Sequence, residues 1–488
     1  MLKRWPRILS ITLTILSGVI LLGYTSFRAY KVPITHDEAQ TFKMLGKRTY
    51  QDILHFSIPE DHMINTLLIK ALTQNLGNEE WVIRIPNIFG HLIYMIFTFL
   101  ILWRFGKREF IFPAFLLLNL NPYLFDFFSC ARGYGLSTSL MIPSIYFILE
   151  YIKKYNPLYL TLSFLFAVLA VFTLVTLLNY YLVLVGITIS MIILGFLLKP
   201  KNLKSIVYYS IGLLIVGLSS YLLYQYLQSV ILRLSDRSFV KHNLSFNFYE
   251  GTIRTIAFRS IYTKDSGHIV TIISYTIMAT YLIAVIFLLA DAVRKKTEVI
   301  YKTTFILLII GVAMALSVTF QHEIFQIKFP SDRAALFFIP VFMLLIVFLL
   351  FDLYEKKYFK IPSLILVFIF TGLVTYNVLK HCNFRYYVDW DFDMAGKEML
   401  NDIRDNLPNT GEIKAINLGT FWIFEPSANY YRTTRNLKWL NEVTRDSLTE
   451  KPFDFYYLRA TDTSQMNFKR SDILKVYPQI GTMLLRRR

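Results

Sequence analysis

The feature that most constrains this chain is its succession of mostly apolar runs, each about 20 residues long. In an α-helix, which rises 1.5 Å per residue, such a run crosses the roughly 30 Å hydrocarbon core of a bilayer. Eleven spans are read, at 8–27, 85–103, 110–128, 134–151, 158–177, 181–198, 206–228, 269–290, 303–320, 334–351 and 361–379; the stretch 158–198 admits a different division. Composition agrees. Apolar residues make up 55% of the 488, and charged residues only 17% against about 25% in a soluble domain. A soluble enzyme is excluded, and so is a disordered chain, because 42 Phe and 32 Tyr do not stay solvated. The chain reads as a polytopic membrane protein.

The net charge of +18 sits in short clusters between the runs, so nucleic acid is not an expected partner. Lys3, Arg4 and Arg7 precede the first span. Basic clusters then mark every second loop: Arg104, Lys107 and Arg108; Lys153 and Lys154; Lys199, Lys201 and Lys204; Arg294, Lys295 and Lys296; Lys356, Lys357 and Lys360. By the positive-inside rule these loops are cytoplasmic, which places the N-terminus inside and, with an odd number of spans, the C-terminus outside. The first span suits a signal peptide in its basic start, but it is long for one and no clear small-x-small site follows; it is read as an uncleaved anchor. Cys130 and Cys382 lack CxxC spacing and predict no disulfide framework or thiolate metal site; an unrelated pair is the simpler reading.

The expected fold is therefore an all-α polytopic membrane domain over 1–380, with a small external α/β domain over 381–488. Segments 28–84, 229–268 and 321–333 form the external loops, the first being the candidate catalytic loop. The tail carries helix-like stretches at 394–406 and 422–433 and β-like runs at 413–418, 455–458 and 473–476.

Three features can carry chemistry. Thr35-His36-Asp37-Glu38 follows the first span, and a carboxylate held at the membrane surface can act as general base on a hydroxyl. The bland reading is a helix start capped by Thr35 or Asp37. Glu60-Asp61-His62, ahead of an apolar stretch, starts a helix along the interface and offers groups for a substrate, a metal or the first motif; capping by Asp61 is the alternative. Ala131-Arg132-Gly133-Tyr134-Gly135 sits in a short external turn, where a guanidinium fits a phosphate in bidentate fashion and glycines admit close backbone approach. Snorkelling or an internal ion pair is its structural alternative. Arg84, Arg254, Arg259, Lys328 and Arg333 add external cations that suit a phosphorylated lipid carrier. His36, Asp37, Glu38, Asp61 and His62 are ligand types for a divalent cation such as Mg²⁺ or Mn²⁺, without any fixed metal-site spacing. No Walker, GxGxxG or GxSxG motif occurs in a usable context.

These residues resemble the GT-C superfamily of integral-membrane glycosyltransferases, in particular protein O-mannosyltransferases and bacterial aminoarabinose transferases. The resemblance rests on His36-Asp37-Glu38-Ala39, Asp61-His62, Trp81-Val82-Ile83-Arg84-Ile85-Pro86-Asn87 and Ala131-Arg132-Gly133-Tyr134, with a weaker likeness at Asp332-Arg333. It covers 1–380 as architecture and about 1–140 as motifs. Relatives commonly carry His-Pro-Pro where this chain has His62-Met63-Ile64, a departure that bears on His62 and on the acceptor. The resemblance implies a polyprenyl-phosphate sugar donor, a glycan, lipid or protein acceptor, and inversion at the anomeric carbon. It further implies Asp37 and Glu38 as the catalytic carboxylates, with Asp61, His62, Arg84, Arg132, Tyr134 and Arg333 binding substrate. It places the protein in a bacterial inner membrane with an external or periplasmic active face. A lipid or solute transporter, which needs broken helices and polar residues at mid-membrane, is the rival from another class, and a non-catalytic glycan-assembly subunit is a third. The spans hold few ionisable residues, Asp126, near the external end of its helix, being a partial exception.

Overall fold

The structure is a computed structural model and describes the chain apart from residues 1–4, 56–61, 199–202, 235–246, 263–266, 296–298, 408–414, 447, 449–451, 460, 462–471 and 487–488. Each of the eleven predicted intervals is mostly helical, the interval 110–128 as two helices. Among the described residues, eight helices are long and apolar enough to cross a bilayer: Ile8–Lys31, Glu80–Phe105, Gly133–Lys154, Val175–Leu197, Ser205–Gln228, Gly267–Val293, Thr303–Phe325 and Lys360–His381. Pro157–Thr173 and Phe338–Tyr354 have 17 residues each, and so reach about 25 Å.

The interval 110–128 is not one straight span. It is a pair of helices, Arg108–Asn119 and Pro122–Ser129, bent by 67°. The cause is a helix-start signal in its middle. The Asn121 side chain accepts from the Tyr123 and Leu124 N–H groups at 2.9 and 3.2 Å, and Pro122 opens the second helix where its missing N–H does no harm.

By internal contacts the chain forms two compact units: Met1–Thr25, Gln51–Asn65 and Pro86–Cys382 make the first, and Ser26–Tyr50, Thr66–Ile85 and Asn383–Arg488 the second. In the first unit, ion pairs draw alternate loops to one end. Arg104 and Lys154 share Glu150, at 2.6 and 2.7 Å, and Lys107 pairs with Glu355. Lys302 and Lys356 share Asp291, at 2.5 and 2.7 Å. Lys199 and Lys201, with Lys296, lie outside the described residues. Both cysteines are free, Cys130 buried and Cys382 exposed.

The second unit holds the tail. Helices Gly396–Asp405 and Glu425–Thr434 stand where the sequence predicts them. The sheet has β1 (Leu418–Thr420), β2 (Phe455–Arg459), β3 (Ile473–Tyr477) and β4 (Thr482–Arg486), in the order β1-β2-β4-β3. Among the named strands β1–β2 is the parallel pair, and the chain between them includes Glu425–Thr434, as a parallel connection requires. Phe453, Tyr456, Leu458 and Leu485 form a core. Strand β4 has no counterpart in the sequence reading, and of the 413–418 run residues 413 and 414 lie outside the described residues.

Candidate functional site

The candidate residues form one cluster in each unit. In the second unit, helix His36–Leu45 starts with a complete capping box. Thr35 Oγ1 accepts from the Glu38 N–H at 3.2 Å, and Glu38 Oε2 accepts from the Thr35 N–H at 2.9 Å. Asp37 follows one residue into the helix and is partly exposed, at the end where the helix dipole attracts negative charge. Glu38 points inward to Arg84; the two side chains are fully buried and 2.7 Å apart. Arg84 donates to both Glu38 oxygens and to the carbonyls of Ala29, Val32 and Pro33, five bonds of 2.7–2.9 Å. A guanidinium has five N–H donors, so protein acceptors engage all of them.

A tail residue completes this cluster. Asp393 is buried, and its Oδ2 accepts from the His36 N–H at 2.6 Å while Oδ1 accepts from the Ser427 hydroxyl at 3.2 Å. Burial pushes its carboxyl well above the usual carboxylate range, and the charges of Asp37 and Glu38 push the same way. The His36 Nδ1–H donates to the Ile423 carbonyl at 2.7 Å, which leaves Nε2 as the acceptor nitrogen. The Tyr431 hydroxyl accepts from the Ile34 N–H at 2.8 Å. Asp393 lies far from the motif in sequence, at the end of the run Val388-Asp389-Trp390-Asp391-Phe392-Asp393. No periodicity singles it out.

The first unit holds His62, Arg132, Tyr134 and Arg333. His62 is buried, with φ of 50° in the left-handed region, and its Nδ1–H donates to the Thr173 carbonyl at 3.0 Å. Nε2 therefore carries a lone pair, and among the described residues that buried atom has no hydrogen-bond partner. Burial and the neighbouring Arg132 and Arg333 hold the imidazole well below its usual pKa, so it is neutral. Its ring meets Tyr134 edge-on at 4.6 Å, and the Arg333 guanidinium lies over the Tyr134 ring at 5.9 Å. Arg132, buried, stands at the N-cap position of helix Gly133–Lys154 and makes no side-chain cap bond there. Both glycines are needed: a Cβ at Gly133 would stand 2.5 Å from the His62 side chain, and one at Gly135 would stand 2.2 Å from the Phe127 carbonyl.

Two asparagines hold this turn, and the sequence reading gave neither a role. Asn65 Nδ2 donates to the Ala131 carbonyl at 3.3 Å, and Asn87 Nδ2 to Asn65 Oδ1 at 2.9 Å. Asn87 Oδ1 accepts in turn from the Leu136 N–H at 3.0 Å. Asp61 lies outside the described residues. The Tyr262 hydroxyl donates to the Asp126 carboxylate, lying 2.9 Å from both of its oxygens, and is an internal partner for it. Among the described residues no group of three or more His, Cys, Asp and Glu side chains is placed to hold a metal ion. Glu38 and His36 Nδ1 face protein partners instead.

No protein-family model and no curated protein matches the chain. Among solved structures, it is similar to the crystal structure of ArnT from Cupriavidus metallidurans bound to undecaprenyl phosphate, at 11% identity and a TM-score of 0.51 over 97% of each chain. The apo-state structure of the same ArnT is matched at 10% identity and 0.48, again over 97% of each chain. At such identity the likeness is one of fold. Eight of this chain's helices, among the described residues, are long and apolar enough to cross a bilayer, and the chain shares the fold of that ArnT.

Proposed function

We propose that this protein is an inner-membrane glycosyltransferase that moves a sugar from a polyprenyl-phosphate donor to a hydroxyl of a glycan, lipid or protein acceptor. The observation that carries the reading is the pair of clusters: a partly exposed Asp37 on a helix start held by three chain segments, and a neutral buried imidazole with two arginines around it. The GT-C fold, whose neighbour ArnT binds undecaprenyl phosphate, supports a donor of that kind. The N-terminus is cytoplasmic, and the domain 381–488 is external or periplasmic, on the active face.

Asp37 orients the acceptor hydroxyl and takes its proton as the oxygen attacks the anomeric carbon. The new C–O bond forms as the bond to the phosphate breaks, with inversion, and the polyprenyl phosphate leaves with the electron pair. Arg132 and Arg333 hold the negative charge of that phosphate. Tyr134 sets the position of Arg333, and His62 Nε2 accepts a hydrogen bond from a donor hydroxyl. Glu38 and Arg84 act by position: the pair locks the helix that carries Asp37. Asp61 is a supporting group of the same loop.

The test is a comparison of glycolipid and glycan profiles in cells carrying wild-type protein, Asp37→Asn, or none, at equal membrane expression. Asp37→Asn keeps the size and removes the basicity. The expected result is a profile like the deletion, with one glycoform lost and a polyprenyl-phosphate sugar accumulating. A wild-type profile from Asp37→Asn, with a glycan defect in the deletion, would remove Asp37 from the chemistry.

A further inference from the structure

The second unit contains a cavity of about 490 Å³ that the proposed transfer does not use. Its lining includes Lys31, Arg385 and Lys475, against one carboxylate, Glu398, together with the rings of Phe384 and Tyr477. Lys475 is held by Glu398 at 2.6 Å and by Asp402 at 2.9 Å, so the positive character of the lining comes from Lys31 and Arg385. The volume is within the range of sites for small organic groups, roughly 300–1,000 Å³, rather than that of a single ion.

Chain position says what sits beside it. Lys31 is the last residue of the span Ile8–Lys31, and Arg385 follows the end of the span Lys360–His381 by four residues. Both spans present most of their surface outward, with only 17% of each apolar window buried. Around the cavity's cations stands a cluster of exposed rings: Phe27, Tyr30 and Phe384 are 48, 58 and 41% exposed. Phe27 and Phe384 meet edge-on at 4.9 Å, and the Lys31 ammonium lies 5.7 and 5.5 Å from the Phe27 and Tyr30 ring centres. Aromatic rings next to cations at the ends of spans are the side chains of a bilayer interface, at the depth of the lipid phosphates. A guanidinium and an ammonium in a half-open cavity at that depth match a phosphate with groups attached.

We infer that this cavity is a binding site for the phosphate-bearing headgroup of an anionic membrane lipid, held by Lys31 and Arg385 with Phe27, Tyr30 and Phe384 against its glycerol and upper chains. The site is separate from the donor reading, which places its phosphate at Arg132 and Arg333.

The experiment is native mass spectrometry of the full chain released from bilayers of phosphatidylglycerol and phosphatidylcholine in equal amounts. Wild type is expected to retain phosphatidylglycerol over phosphatidylcholine by at least about tenfold, given two cations at the headgroup. Lys31→Glu/Arg385→Glu should lose that preference, and Lys438→Glu, an exposed change elsewhere in the unit, should keep it. Lys31→Gln/Arg385→Gln, with its melting temperature, covers the case in which charge reversal prevents folding, and should also lose the preference. No preference in wild type, or an equal preference in the double variants, overturns the site. Displacement of phosphatidylglycerol by millimolar inorganic phosphate would assign the cavity to free phosphate and overturn the lipid.

Discussion

Asp393 and Arg84 show how two buried side chains can support one partly exposed carboxylate. Truncating Arg84 leaves Glu38 buried without its partner, and breaking such a pair costs about 3–5 kcal/mol. Arg84→Ala should therefore lower the thermal midpoint in detergent sharply. Arg84→Lys should recover only part of it, because an ammonium has three donors and no fork for the two Glu38 oxygens. Asp393 carries the opposite liability. Its folded pKa lies above the unfolded value of 3.8, so the folded state binds the proton more tightly and is stabilised as pH falls through the raised pKa. That gain is complete below 3.8 and is lost above the folded pKa. Asp393→Asn keeps an acceptor for the His36 N–H but removes the titration. Its melting temperature should rise relative to wild type as pH increases from about 4 to 7. A constant difference across that range would show that Asp393 does not titrate in it.

At the scale of elements, length and apolar run are legible in the sequence and breaks are less so. The eleven intervals are helical because about 20 apolar residues have no other use in a bilayer. The bend at Asn121-Pro122 was written in local residues too, as a cap followed by proline, but within an apolar run those residues look like a tolerated interruption. Strand β4, five residues long like β2 and β3, is defined by its pairing with both of them. The helix start at Thr35 was legible as a possible cap, and the structure shows that this cap and the carboxylate motif are the same residues. Capping thus explains Thr35 and Glu38, and Asp37 is the partly exposed carboxylate between them. Thr35→Ala should cost about 1 kcal/mol of stability, and Thr35→Ser only a fraction of it. If the helix start positions Asp37, turnover in a donor-to-acceptor assay should fall further for Thr35→Ala than its loss of folded protein accounts for. A fall in activity that only tracks the folded fraction would reduce the cap to a stabilising role.

At the scale of the molecule, chemistry-bearing residues separated in sequence come together where no local signal announces it. The sequence reading divides the chain near residue 381, whereas internal contacts group 26–50 and 66–85 with the tail, through bonds such as Tyr430 hydroxyl to the Asn78 carbonyl at 2.6 Å and Lys397 to Glu80 at 2.7 Å. Such pairings depend on the three-dimensional path and leave no pattern in either segment. Glu150, Asp291 and Glu355 gather cations of alternate loops at one end of the first unit, and positive loops of short length stay in the cytoplasm. The residue after the last span belongs to a loop of the opposite parity, so Cys382 should face outward. Because Cys382 is exposed and Cys130 buried, a membrane-impermeant maleimide reports on one position alone. Intact spheroplasts should be labelled, and Cys382→Ser should abolish the signal. Labelling only after lysis would turn the tail to the cytoplasm and take Asp37, on the same unit, away from any external acceptor.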